Sequence, residues 1–153
     1  MIVFVLSSSI LRAETEVDLL SLYKELHANP ELSFKEEQTS KKLATILRNS
    51  GFNVTENFGG FGVVALFKNG EGKTVMIRAD MDGLPVEELT KASYASKKKS
   101  INQAGDEVFT MHACGHDIHM ASLIGTAINL VKRKDDWKGN LLIILQPAEE
   151  VSG

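Results

Sequence analysis

Apolar positions recur along this chain with two distinct periods. Val17, Leu20, Tyr23 and Leu26 share one face at helical spacing, and the pattern stops before Asn29-Pro30, where the proline disfavours helix at the residue before it. A second helix is predicted from about Phe34 to Ser50, with Ser33 as N-cap, Glu36 three residues on, and Gly51 closing the C-terminus. A third is predicted from about His116 to Lys132, because Met120, Leu123, Ile124, Ala127 and Val131 form a single stripe.

Between the helices the period shortens. FGVVALF (61–67) and KTVMIRA (73–79) read as strands, and the NGEG turn at 69–72 joins them as an expected hairpin. LLIILQ (141–146) reads as a buried strand that Pro147 ends. Residues 83–110 are irregular, with short strands expected near Tyr94 and Val108. Helices interleaved with apolar strands predict an α/β layered domain over residues 14–153.

The first thirteen residues stand apart. IVFVL followed by SSSILRA resembles the later parts of a secretory signal, although a positive start is missing. As a leader (1–13) it would direct the protein to the periplasm or outside the cell. The alternative is an apolar segment packed on a cytoplasmic domain. It is far too short to span a membrane.

Composition narrows the function classes. The 153 residues include 17 basic and 20 acidic side chains, for a net charge of −3. No electrostatic case exists for nucleic acid or an anionic membrane as partner. The one basic run, Lys97-Lys98-Lys99, has no interleaved aromatics and reads as a solvated loop. A single cysteine excludes an internal disulfide.

That cysteine changes the picture more by its neighbours. Three of the four histidines, His112, His116 and His119, flank Cys114 within MHACGHDIH (111–119). Two further polar clusters sit where strands are predicted to end: RADMD (78–82) and QPAEE (146–150). In open α/β sheets such strand ends are where ligands bind. Taken singly, the acidic pairs read as turn residues or first-turn helix carboxylates. The cysteine–histidine cluster is harder to dismiss. A closed structural zinc site would normally need two to four cysteines, whereas mixed sulfur, nitrogen and oxygen donors suit a catalytic ion with an open position. Asp117 is the expected acceptor that orients an imidazole. The pair Glu149-Glu150 could supply one oxygen ligand and one free base. Phosphoryl transfer on Asp80-x-Asp82 explains neither the cysteine–histidine cluster nor the glutamate pair, and no glycine-rich phosphate cradle accompanies it.

LHANPELSFKE (26–36), GGFGVVA (59–65), IRADMDGLPVEE (77–88), MHACGHDIHM (111–120) and LQPAEE (145–150) occur in this order. The chain thereby resembles the metal-dependent amidohydrolases of the aminoacylase/carboxypeptidase superfamily, in the branch of hippurate hydrolase, N-acyl-amino-acid amidohydrolases and indole-acetyl-amino-acid hydrolases. The resemblance implies part of a dinuclear-metallopeptidase-like catalytic domain, a mixed sheet flanked by helices. It implies two divalent ions, Mn2+ before Zn2+ or Co2+. Cys114, His116 and Glu150 match metal ligands and Glu149 the general base, which deprotonates the attacking water and then protonates the leaving amine. Asp82 matches an acidic residue that supports the metal centre, while His27, Asp80, His112 and His119 receive no firm ligand role.

The implied substrate is a small N-acyl amino acid or related amide, and the implied parent a homodimer or larger homo-oligomer. Family members continue well beyond the position of Gly153, supplying further histidine ligands and a lid and dimerisation domain. The expectation is therefore an N-terminal fragment with little activity alone. The competing reading is a non-catalytic metal-binding or interaction fragment.

Overall fold

The computed structural model describes residues 17–151. The proposed leader, residues 1–13, lies outside them. Helix α1 (Leu19–Ala28) starts at Asp18, whose carboxylate accepts the amides of Leu20 (3.0 Å) and Ser21 (3.2 Å), two of the donors a helix start leaves free. Helix α2 (Glu37–Asn49) ends as expected, with Gly51 at φ 98°. Its start differs from the expectation. Glu36, not Ser33, occupies the N-cap position and makes no side-chain cap, because both side chains are engaged elsewhere in the fold. Helix α3 (His116–Lys132) matches its predicted span at both ends.

Four strands form the main sheet: β1 (Asn53–Phe58), β2 (Gly62–Asn69), β3 (Thr74–Asp80) and β6 (Gly139–Gln146), in the order β1-β2-β6-β3. A small antiparallel pair, β4 (Lys99–Ile101) and β5 (Glu107–Phe109), lies apart. Val108 is thus in a strand, but Tyr94 is in none. Lys99 belongs to β4, where it pairs with Glu107 at 2.8 Å.

The expected β2–β3 hairpin does not form. The uniformly apolar β6 takes the slot between them, antiparallel to β2 and parallel to β3. The glycines at 69–72 serve a crossing instead of a tight turn. Gly72 and Gly139 meet where the chain passes the start of β6: a Cβ on Gly72 would lie 2.9 Å from Gly139 Cα, and one on Gly139 2.4 Å from the Lys73 carbonyl oxygen. The hairpin forms one strand earlier, between β1 and β2 around Gly59-Gly60. The sequence pattern hides β1, since NVTENF is mostly polar and lies at the exposed sheet edge.

The three helices share one core against one sheet face. Leu43, Leu47, Met120 and Ile124 are fully buried against Val63, Ala65, Ile143 and Leu145. Each of the larger side chains, Ala65 apart, contributes about 1.5–3 kcal/mol by leaving water. The alternating burial of β6 records the asymmetry, because Leu142 and Ile144 on the opposite face are only half-buried.

One consequence of the topology positions the chemistry. Because β3 and β6 run parallel with Asp80 opposite Gln146, DMD and PAEE leave the sheet side by side. The Met81 amide ties them by donating to the Gln146 carbonyl at 2.9 Å.

Candidate metal centre

His116 stands at the first position of α3, after Gly115 in the left-handed conformation (φ 79°). Its buried ring is oriented by backbone: Nδ1–H donates to the Asp82 carbonyl oxygen at 2.8 Å. A carbonyl can only accept, so this bond sets the tautomer and leaves the Nε2 lone pair free. Nε2 lies 3.8 Å from Glu149 Oε2 and 3.8 Å from Glu150 Oε1. The expected cluster of His116 with the glutamate pair is therefore assembled.

Glu150 is half-buried and Glu149 exposed, with side-chain exposures of 17% and 39%. Cys114 is exposed. The neighbouring Glu150 carboxylate pushes the thiol pKa up; burial adds to this, as do the charges of Glu149 and Asp82.

Asp82 is fully buried behind the imidazole. Its Oδ2 accepts from Ser33 Oγ at 2.6 Å and from the Glu150 amide at 2.9 Å. Its carboxylate therefore holds backbone and its carbonyl holds His116.

Asp80 joins this group, although the resemblance assigns it no firm ligand role. Asp80, His116 and Glu149 each present a donor atom, and these atoms lie within 4.8 Å of one another. Arg78 Nε donates to the Oδ1 of Asp80 at 2.7 Å. Its position at the end of β3, pointing as Gln146 does across the register, was the available signal.

Asp117 orients an imidazole, but of a different residue from the metal-facing one. Its Oδ2 lies 2.6 Å from Nδ1 of His27, whose Nε2 lies 3.0 Å from Glu88 Oε1. A histidine with a carboxylate at each nitrogen is a doubly protonated donor. Burial pulls its pKa down, but the bonds to Glu88 and Asp117 outweigh that and hold it above the ordinary value. His112 is buried with neither nitrogen partnered among the described residues, and burial pushes its pKa down to about 4, so it is neutral near pH 7. His119 is exposed, its ring centroid 6.2 Å from that of His116.

The donor set fits a divalent cation. Asp82, Glu149 and Glu150 form no ion pair with lysine or arginine among the described residues. Three buried carboxylate oxygens lack any hydrogen-bond partner there, and two of them, Asp82 Oδ1 and Glu150 Oε1, belong to this cluster; the third is Glu36 Oε2. Buried, unpartnered carboxylates are costly unless a positive charge meets them, and thiol, imidazole and carboxylate are the donors of divalent ions.

Such a cluster at parallel strand ends defines a divalent-metal α/β domain of the metallopeptidase kind. Residues 76–153 match the model of peptidase family M20/M25/M40, and the chain belongs to that family. Over 142 residues it is 46% identical to thermostable carboxypeptidase 2 of Saccharolobus solfataricus, a match covering 92% of this chain and 34% of that one. It is 41% identical to the N-acetylcysteine deacetylase of Bacillus subtilis, covering 88% of this chain and 33% of the relative. The crystal structure of the Bacillus subtilis YXEP protein, described as a dinuclear metal-binding peptidase of the M20 family, superposes with a TM-score of 0.75 at 40% identity. That match covers 87% of this chain and 35% of the other. The chain thus spans about a third of the length of the relatives it matches.

Proposed function

We propose that these residues form the metal-binding part of a hydrolase that cleaves the amide bond of N-acyl amino acids or related small amides. The observation that carries this is the convergence of His116 Nε2 on both Glu149 and Glu150 at 3.8 Å, beside an exposed cysteine. Cys114, His116 and Glu150 are the proposed ligands, and Asp80 has a donor atom within 4.8 Å of those of His116 and Glu149. Two divalent ions, manganese before zinc or cobalt, are the proposed cofactors. Bound there, they would polarise the amide carbonyl and lower the pKa of the attacking water.

The protein's own groups divide the remaining work. The Asp82 carbonyl keeps the Nδ1 proton in place, so His116 offers Nε2 as a lone pair. The exposed Glu149 carboxylate takes a proton from water and returns it to the leaving amine. Glu150 stays in place because its amide is held by Asp82. The acylated amino acid reflects the deacetylase relative, and the carboxypeptidase relative keeps peptides within the same amide class. Further ligands and the substrate-binding surface are proposed to lie in the portion of the relatives that this chain does not span.

A substrate panel on the full-length polypeptide with Mn2+ tests this. Turnover of N-acetyl amino acids or hippurate is expected, and Glu149→Gln should lower kcat by about a thousandfold or more, as loss of a general base does, while leaving bound metal in place. Full activity in that variant would remove Glu149 from the mechanism.

A further inference from the structure

The segment Ser33–Glu36 carries no role in metal binding, yet it reaches the backbone on either side of Glu149, directly at Ala148 and through Asp82 at Glu150. Glu36 is completely buried. A single oxygen, Oε1, accepts the amide of Phe34 at 3.1 Å and the amide of Ala148 at 2.7 Å. Both of those residues have left-handed backbone, at φ 64° and φ 54°. Side chains with a Cβ enter this region only when their surroundings hold them there. Ala148 immediately precedes Glu149. On the other side, Ser33 Oγ donates to Asp82 Oδ2, the same oxygen that accepts the Glu150 amide. The backbone is therefore anchored at 148 and at 150, with Glu149 between the anchors.

We infer that Ser33 and Glu36 are positioning residues that set the placement of Glu149 and Glu150, by clamping the Pro147–Glu150 turn from the start of α2. The inference rests on the reading of that pair as base and ligand. Two anchors two residues apart fix both the direction and the height of the intervening residue. A misplacement of this kind, remote from the reacting atoms, lowers turnover more than binding. The function of Oε1 here is to accept two amides, and the amide oxygen of a glutamine can also accept two.

The test compares Glu36→Gln, Glu36→Leu and Ser33→Ala in the full-length, Mn2+-loaded polypeptide. It has two readouts: steady-state kinetics, and amide hydrogen exchange at residues 148 and 150. Glu36→Leu should lower kcat by about tenfold or more with little change in KM, and should speed exchange at Ala148. Glu36→Gln should keep both near wild type, a rescue that a requirement for charge would not allow. Ser33→Ala should speed exchange at Glu150 and lower kcat in the same sense. If Glu36→Leu does not fold, the Gln variant and Ser33→Ala still decide the matter. Unchanged exchange and kcat in both Ser33→Ala and Glu36→Leu would overturn the inference, as would a folded Glu36→Gln variant with a kcat lowered about tenfold or more. An inactive wild type that shows the exchange shifts would count against the hydrolase reading and support the clamp.

Discussion

His27 sits between two carboxylates, Asp117 and Glu88, with the rings of Tyr23 and Tyr94 packed at 5.7 and 5.2 Å from its own. Neutral His112 also lies within coulombic reach of it. The raised pKa of His27 has a signed consequence for stability. The folded protein holds this proton more tightly than the unfolded chain, so the contribution is fully present below the ordinary histidine value of 6.5 and is lost as pH rises through the higher folded value. Urea unfolding across that window should show stability falling with pH, and His27→Gln should flatten the slope there. An unchanged slope would mean the imidazolium is not what joins α1, α3 and the 83–96 segment. The same residue shows what a sequence can conceal. Asp117 is legible as an acceptor for some histidine, but its partner lies 90 positions away, and nothing local distinguishes His27 from the nearer His116. Ser33 is concealed for the same reason: the N-cap pattern is a local signal, while its hydroxyl bonds Asp82, 49 positions on.

At the scale of elements, hydrophobic period located the helices well, and α3 best, because seventeen residues give the period room to declare itself. Strand pairing was less legible. The NGEG turn favoured a hairpin between β2 and β3, yet burying the uniformly apolar β6 at the centre of the sheet outweighs that local preference. The glycine crossing at 72 and 139 is the structural signature of the outcome, and it can be tested. Gly139→Ala would place a Cβ 2.4 Å from the Lys73 carbonyl oxygen at φ 118°. A loss of about 2 kcal/mol or more is expected from strain and backbone displacement, read as a lower urea midpoint. Wild-type stability in that variant would contradict the crossing.

Across the whole molecule, the order β1-β2-β6-β3 makes β3 and β6 parallel neighbours, and this brings residues 78–82 and 146–150 to one edge beside the start of α3. The three motifs were legible separately from their residue types. Their meeting was implied by the family resemblance and not by the hydrophobic pattern, because it depends on a strand insertion that the local pattern argued against. Asp80 went unrecognised as a donor for a related reason, since its candidacy arises only from where β3 ends relative to His116. Among the described residues no helix is long and apolar enough to cross a membrane. The half-buried Val64, Leu66, Leu142 and Ile144 occupy the sheet face opposite the helices. The central claim is that Cys114, His116 and Glu150 hold divalent metal. Measuring bound Mn2+ in the full-length polypeptide, wild type beside the Cys114→Ala/His116→Ala double variant, tests it most directly. Metal present in the wild type and lost from the folded double variant is the predicted result; metal retained by the double variant would contradict the account.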